Sequence, residues 1–215
     1  MAHPEIVCLT NGAFAENCYL LADPDAGDAV IVDPGEETDL FLRRVAHERW
    51  TIREIWLTHA HLDHVAGVAE IARRTAAPIA LHPADRALYD RVADQGQWLG
   101  VRVESPPPPD RDLAAGDTVS VGRWSFEVRH VPGHSPGSVA FICSDIALVG
   151  DALFQGSVGR VDLPGGDGPT LLASIRDELM ILPDETRVLP GHGPETTIGR
   201  ERQTNPFLTG AYPLA

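Results

Sequence analysis

A chain of 215 residues, with 43% hydrophobic and 22% charged residues, is long enough to bury one full-sized core, and we expect a single domain over residues 1–215. Its formal net charge of −14 makes nucleic acid and anionic membrane surfaces unfavourable partners. The three cysteines are widely spaced and form no CxxC pair, which argues against a disulfide framework and indicates buried free thiols in a reducing compartment. Because no signal peptide and no apolar run of about 18 residues is visible, we expect a cytoplasmic protein.

The first half of the chain alternates between strand and helix patterns. Short apolar runs bounded by turn residues predict strands, and apolar residues at three- and four-residue spacing predict helices. Strands that alternate with helices of this length predict a sheet covered by helices. The strands are expected over residues 6–9, 17–22, 29–32, 55–57 and 79–82, and the helices over 38–49, 65–75 and from residue 83 onward.

A stretch of four consecutive prolines within residues 105–110 predicts a stiff surface crossover rather than a domain linker. After this stretch of the chain, strand patterns begin again. Strands followed by helices, twice over, predict an α/β fold of two halves that pack sheet against sheet with their helices outside. The second-half strands are expected over residues 118–121, 125–131, 138–143, 147–149 and 186–189, and the helix over 170–182.

The densest cluster of metal-ligating residues is the loop over residues 58–64, which follows a buried strand pattern. His59 and His61 are two residues apart, so both rings can reach one cation from an extended strand end. Asp63 and His64 come one step later, where the turn into the next helix would direct them at a second metal position. The alternative is a polar loop that only caps the following helix, with Asp63 as the cap. A cap needs one polar residue, whereas this loop also carries three histidines, so the pattern favours a metal site.

Three further candidates share one context, because each follows a glycine just past the end of an apolar strand. They are His134, Asp151 and His192. In sheets covered by helices, sites gather at the carboxyl ends of strands, so these ends can converge on one cleft. A lone His or Asp after a strand is more often a turn residue than a ligand. Together with the loop over residues 58–64, however, the three favour a shared metal site.

These motifs resemble those of the metallo-β-lactamase fold. Within that superfamily the stretches 153–167 and 196–208 are similar to small bacterial glyoxalase II-like hydrolases, that is, to hydroxyacylglutathione hydrolases. The resemblance implies a four-layer αβ/βα sandwich and a metal-dependent hydrolase, and its motifs are more specific for fold and metal site than for substrate. It is carried by His59, His61, Asp63, His64, Gly133-His134-Ser135, Gly150-Asp151 and Gly191-His192-Gly193.

The resemblance also implies a ligand set for two divalent metal ions. Two cations about 3.5–4 Å apart lower the pKa of bound water toward about 7, so the implied nucleophile is a hydroxide that bridges the metals. Asp63 is the expected catalytic residue, which orients this hydroxide or takes its proton. Zinc is the first expectation, with iron or manganese as alternatives for a mixed imidazole and carboxylate set. The first ion would be bound by His59, His61 and His134, the second by Asp63, His64 and His192, and both by Asp151.

Other residues near these motifs have different expected roles. Asp33 is expected either to orient a ligand from behind or to form a turn. Arg160 and Asp162 are expected to form a structural ion pair under the site, although Arg160 could instead meet an anionic substrate. His82 and His130 lie in predicted strands and are expected to be core or edge residues rather than ligands. The tryptophans are expected to anchor the core or the loops; they are Trp50, Trp56, Trp98 and Trp124.

Three hypotheses for function follow. The leading one is thioester hydrolysis of the glyoxalase II type, with an S-acylglutathione such as S-lactoylglutathione as the small-molecule substrate. The second is a persulfide dioxygenase with a single iron held by His59, His134 and Asp151. The third is a non-enzymatic, metal-stabilised interaction module, which predicts that metal removal unfolds the chain.

Two features bear on the substrate. Only 23 residues follow His192 (215 − 192). We expect this to be too few for the C-terminal helical domain with which full-length glyoxalase II enzymes hold glutathione, so another thioester or an ester remains an alternative substrate. Hydrolysis of β-lactams is disfavoured, because the sequence shows no export signal and because one large lactamase subgroup has cysteine where Asp151 stands.

Overall fold

The computed structural model describes residues 3–214, which form two six-stranded sheets. In the first sheet the strands follow chain order, the first three being antiparallel and all later neighbours parallel. The six strands are β1 (Glu5–Asn11), β2 (Glu16–Asp23), β3 (Asp28–Val32), β4 (Thr51–Trp56), β5 (Ile79–Leu81) and β6 (Arg111–Asp112).

The second half of the chain forms the second sheet and a small hairpin. The strands concerned are β7 (Thr118–Val121), β8 (Trp124–His130), β9 (Val139–Cys143), β10 (Ile146–Gly150), β11 (Leu153–Phe154), β12 (Ser157–Val158), β13 (Arg187–Pro190) and β14 (Thr196–Thr197). The order in the sheet is β14-β13-β10-β9-β8-β7, and β10 and β13 are its parallel pair. The strands β11 and β12 pair with each other.

The helices are short and flank the sheets. They are α1 (Thr38–Glu48), α2 (Leu62–Val65), α3 (Val68–Thr75), α4 (Arg86–Tyr89), α5 (Val92–Leu99), α6 (Gly168–Ser174) and α7 (Ile198–Thr204). A 3-10 turn over Pro83–Asp85 precedes α4, and a π-helical turn over Ile175–Leu179 continues α6. Asp167 caps α6 by accepting a hydrogen bond from the Thr170 N–H (2.8 Å). Within residues 3–214 we find no helix with the length and hydrophobicity needed to cross a bilayer.

Three buried apolar clusters define four layers. The strand β2 is buried on both faces, as alternate side chains of a central strand must be. Leu20 packs with α1 and α3 in an outer cluster, whereas Leu21 joins a central cluster between the sheets. In that central cluster the Trp56 ring lies 5.2 Å from the ring of Phe141 in the second sheet. A third cluster joins the second sheet to α6 and includes Leu171, which completes a helix–sheet–sheet–helix order.

The structure confirms the predicted α/β class and the layered sandwich but corrects several elements. The helix predicted over residues 65–75 is interrupted, because the Gly67 N–H donates to the carbonyl of Pro34 (2.9 Å) instead of continuing the helix. A Cβ at Gly67 would lie 2.2 Å from the carbonyl oxygen of Gly35, so this close approach requires glycine. Strands β6, β11, β12 and β14 and helix α7 were not predicted, since segments this short carry little periodicity.

Two side chains are more exposed than the sequence suggested. Cys8 is a free and exposed cysteine, whereas Cys18 and Cys143 are free and buried as expected. Trp98 is 67% exposed on α5, so the expectation that it anchors the core or a loop was wrong. Trp56, in contrast, is fully buried between the sheets.

Candidate metal centre

The seven candidate ligands all follow the carboxyl ends of strands, and both sheets contribute to the set. The loop after β4 and the short helix α2 supply four of them, and the loops after β8, β10 and β13 supply one each. The structure brings six of them together in two groups of three and places the carboxylate of Asp151 near imidazoles of both groups. The seven are His59, His61, Asp63, His64, His134, Asp151 and His192.

The first group consists of three buried imidazoles. His134 Nε2 lies 2.8 Å from His61 Nδ1 and 3.2 Å from His59 Nε2. The ligand atoms of this group all lie within 4.8 Å of one another, a separation that one metal ion can span.

The second group combines a carboxylate with two imidazoles. Asp63 Oδ2 lies 3.0 Å from His192 Nε2 and 3.8 Å from His64 Nε2. These three residues also satisfy the distance requirement for binding one ion. Asp63 and His64 lie on the short helix α2, whereas the sequence predicted a turn at this point.

Asp151 lies between the two groups. Its Oδ1 is 3.3 Å from His64 Nε2, and its Oδ2 is 3.6 Å from both His134 Nε2 and His192 Nε2. One carboxylate therefore faces imidazoles of both groups, which is the position that a bridging ligand requires.

The hydrogen-bond pattern of the cluster fits bound cations. His134 Nδ1 donates to a backbone carbonyl (2.8 Å) and His59 Nδ1 to Thr58 Oγ1 (3.0 Å), so Nε2 of each ring is left as an acceptor. His64 Nε2 and Asp151 Oδ1 are buried and have no hydrogen-bond partner among the described residues. Buried acceptors that face one another without a donor are costly, and divalent cations would satisfy them.

Burial favours the neutral, ligating state of His59 and His61, whereas neighbouring carboxylates outweigh burial and raise the pKa of His64 and His192, so metal binding at those two rings would release a proton. Burial lowers the pKa of His61 to about 3 and places that of His59 well below its usual range, so both imidazoles are neutral at pH 7. Burial alone would raise the pKa of Asp63, but His64 and His192 outweigh it and hold this pKa well below its usual range. The pKa of Asp151 is lowered against its burial for the same reason, chiefly by His64.

Three side chains distant in sequence hold the loop over residues 58–64. Asp33 accepts hydrogen bonds from the Thr58 N–H (2.7 Å) and from His64 Nδ1 (3.0 Å), so the structure favours its ligand-orienting role. The fully buried Asp85 accepts from the Ala60 N–H (2.9 Å) and from Ser135 Oγ (2.7 Å). Gln95 of α5 accepts from the Leu62 N–H (3.0 Å) and donates to the Ala60 carbonyl (3.0 Å). Sequence reasoning missed Asp85 and Gln95.

Two of the glycines that precede a candidate ligand are required for different structural reasons. Gly133 has a φ of 125°, a conformation that side chains rarely adopt. Gly191 has ordinary backbone angles, but a Cβ there would lie 2.2 Å from Asp151 Oδ1 and 2.6 Å from His64 Cε1. The residue before His192 therefore has to be glycine because the cluster leaves no room for a side chain.

Several histidines and one ion pair lie apart from the cluster. His82 and His130 stack on each other at 4.2 Å, and neither belongs to the groups of described residues that could hold a metal ion. Arg160 and Asp162 do form an ion pair (2.7 and 2.8 Å). Their side chains are 61% and 69% exposed, however, so the pair lies at the surface and the expectation of a pair under the site was wrong.

A cavity of about 490 Å³ opens beside the cluster, and we call it the active-site cavity. Five of the candidate ligands line it, namely His61, Asp63, His134, Asp151 and His192. The rest of its wall is largely apolar and includes residues of α5. A small molecule in this cavity would therefore contact the metal-binding side chains directly.

The sequence of the chain assigns this fold and cluster to a family. A family model described as the metallo-beta-lactamase superfamily matches residues 11–192. The chain belongs to the metallo-β-lactamase superfamily. The matched segment includes all seven candidate ligands of this superfamily member.

Other superfamily members are similar over nearly the whole chain. The hydroxyacylglutathione hydrolase GloC of Haemophilus influenzae is 38% identical over 208 residues, covering 95% of this chain and 97% of GloC. The crystal structure of BLEG-1 B3 metallo-beta-lactamase has a TM-score of 0.90 at 38% identity and covers 96% of this chain and 100% of its own. The crystal structure of TTHA1623 in a di-iron-bound form has a TM-score of 0.87 at 43% identity, and the match covers 94% of this chain and 100% of the TTHA1623 chain. These similarities support a metallo-hydrolase with divalent metal ions.

Proposed function

We propose that this protein is a dinuclear metallo-hydrolase that cleaves thioesters of the S-acylglutathione type, such as S-lactoylglutathione. The observation that carries the proposal is the position of Asp151, whose two oxygens face imidazoles of two separate ligand groups. The similarity to GloC, which is named a hydroxyacylglutathione hydrolase, supports the substrate class. The fold alone would not support a particular substrate class, because one fold can host many activities.

In this proposal the first metal is bound by the three-histidine group and the second by the group of Asp63, His64 and His192, with Asp151 shared. Zinc is the first choice for so many imidazoles, and iron is the direct alternative because a relative has been crystallised in a di-iron-bound form. Two divalent ions held there would lower the pKa of a bound water and polarise the acyl carbonyl.

The protein side chains have distinct tasks in this reaction. Asp63 is a carboxylate at neutral pH because its pKa is held low, so its oxygens can accept a hydrogen bond from the attacking water and orient it. His192 Nε2, 3.0 Å from Asp63 Oδ2, restrains that carboxylate. Asp33 fixes the orientation of the His64 ring through Nδ1. The loop therefore supplies both metal ligands and the residue that positions the nucleophile.

Metal analysis combined with activity assays tests the proposal. We expect two divalent ions per purified chain and hydrolysis of S-lactoylglutathione that is lost on chelation and restored by zinc or iron. One iron per chain with oxygen uptake on glutathione persulfide would instead establish the dioxygenase hypothesis, which the second ligand group disfavours. Full metal occupancy with no turnover of any thioester would contradict the proposed reaction.

A β-lactam is the second candidate substrate. It is favoured by the similarity to the BLEG-1 B3 metallo-beta-lactamase at 38% identity and disfavoured by Asp151, at whose position one large lactamase subgroup has cysteine. A chromogenic cephalosporin, assayed beside the thioester on the same metal-loaded protein, separates the two. We expect kcat/KM for the thioester to exceed that for the cephalosporin.

A further inference from the structure

The wall of the active-site cavity beyond the metal cluster is largely apolar. Phe14, Leu88, Trp98, Leu99 and Phe154 line it, the last from the small β11–β12 hairpin. The wall therefore combines side chains from three separate regions of the chain. Such a wall binds its ligand by excluding water rather than by hydrogen bonds.

The exposure of these side chains sets them apart from the rest of the surface. Six large hydrophobic side chains are exposed in residues 3–214, and three of them, Phe14, Trp98 and Leu99, line this one cavity. Their exposed fractions are 39%, 67% and 54%. Contiguous exposed apolar surface on a soluble protein commonly marks a binding site. Because this surface adjoins five candidate metal ligands, a substrate bound at that centre would also contact it.

The charges around the cavity indicate which part of the substrate the apolar wall meets. The chain contains no lysine, and among residues 3–214 Arg160 is the one arginine that lines the cavity. Both Nε and Nη2 of Arg160 are engaged by Asp162 (2.7 and 2.8 Å), so its charge is largely compensated. A net charge of −14 also gives no long-range attraction for the two carboxylates of glutathione. The apolar wall is thus better matched to an acyl chain than to the tripeptide.

We propose that the apolar wall of the active-site cavity binds the acyl group of the substrate and makes the enzyme prefer S-acylglutathiones with extended apolar acyl chains over short or hydroxylated ones. This inference rests on the proposed thioester hydrolysis. It assigns Trp98 of α5 as a specificity-determining residue, since it is the most exposed aromatic side chain on that wall.

A chain-length series tests the preference on the metal-loaded protein. We expect kcat/KM to rise from S-acetyl- to S-butanoyl- to S-hexanoylglutathione by at most about fourfold per methylene, and by about tenfold or more across the series. Trp98→Ala should remove most of this rise, so that kcat/KM becomes nearly independent of acyl chain length. Tyr212→Ala is the matched control, because Tyr212 is a 62% exposed aromatic residue outside the cavity lining.

A binding measurement separates this inference from the proposed reaction. The thioethers S-methyl- and S-hexylglutathione cannot be hydrolysed, and calorimetry should show the hexyl compound binding about tenfold tighter or more, with the difference lost in Trp98→Ala. If no thioester is cleaved but this Trp98-dependent difference persists, the proposed reaction is wrong and the apolar binding site is supported. If thioesters are cleaved at rates independent of chain length and both thioethers bind equally, the inference is overturned while the reaction stands.

Discussion

Asp151 is the residue on which both ligand groups depend. Its carboxylate approaches three imidazoles, those of His64, His134 and His192 (3.3–3.6 Å). We expect Asp151→Ala to reduce both metal content and hydrolysis, the latter by at least about 100-fold, the upper end of what even indirect changes at metal sites cost. Metal analysis of the purified variant and a thioester assay measure the two effects.

His82→Ala is the control for Asp151→Ala. His82 stacks on His130 and belongs to neither ligand group, so its removal should leave metal content and activity near wild type. If His82→Ala is as damaging as Asp151→Ala, the ligand assignment is wrong.

Asp85 shows how a residue that touches no candidate ligand atom can still determine the site. Its carboxylate accepts hydrogen bonds from the Ala60 N–H (2.9 Å), the Ser135 Oγ (2.7 Å) and the Gly137 N–H (2.6 Å). Ala60 lies between two candidate ligands and Ser135 follows a third, so Asp85 ties two ligand loops to each other.

We expect Asp85→Asn to weaken metal binding by about 10- to 100-fold and to lower the free energy of unfolding by about 1–3 kcal/mol. The amide would place a donor against a backbone N–H, which leaves both groups unpaired. Competition with a chelator of known affinity measures the first effect and chemical denaturation the second. Asp90→Asn, which alters an exposed pair with Arg86, is the control and should change neither. Unchanged metal affinity in Asp85→Asn would show that the ligand loops do not need this link.

At the scale of elements, helix α5 connects the metal loop to the cavity wall. Gln95 holds the loop through Leu62 and Ala60, and one turn further along the same helix Trp98 and Leu99 line the cavity. Hydrogen bonds to the metal loop therefore hold α5 in place, and the next turn of α5 lines the cavity beside the candidate ligands. A shift of α5 would alter metal site and cavity together.

Gln95→Ala removes hydrogen bonds from the Leu62 N–H and to the carbonyls of Ala60 and Leu88 (2.9–3.0 Å). We expect a loss of about 1–3 kcal/mol in unfolding free energy, because the Leu62 N–H is left without its acceptor, and a measurably weaker metal affinity. Gln97→Ala, at an exposed position of the same helix, controls for helix propensity. Equal effects of the two substitutions would mean that Gln95 acts only through the helix.

The elements also show what the sequence could predict and what it could not. The ligand loops were predictable because each follows a clear apolar strand, and three of the four place a glycine directly before the candidate ligand. Asp85 and Gln95 were not, since a single Asp in a 3-10 turn and a Gln on a helix carry no local pattern, and their partners in the loop are 25 and 33 residues away. The break at Gly67 was missed for the same reason, because a tertiary hydrogen bond to Pro34 causes it.

At the scale of the whole molecule, the candidate metal centre joins the two halves of the chain. The first half contributes four candidate ligands and the second half three, and the three apolar clusters pack without any ligand. The hypothesis of a metal-stabilised interaction module requires that metal removal unfolds the chain. Extensive cores within and between the halves instead favour a protein that folds without metal and is tightened by it.

Chelation tests this view of the whole molecule. A ligand that binds only the folded state at 100 times its Kd adds about 2.7 kcal/mol, so two such ions add about 5.4 kcal/mol, and in a protein of this size each kcal/mol shifts Tm by about 2–4 °C. We therefore expect a metal-free protein that keeps its far-ultraviolet circular dichroism and a cooperative melting transition, with Tm lowered by about 10–20 °C. Stepwise addition of zinc should restore the shift as occupancy approaches two ions per chain. Complete loss of structure on chelation would favour the interaction module, and an unchanged Tm would mean that the centre does not couple the two halves.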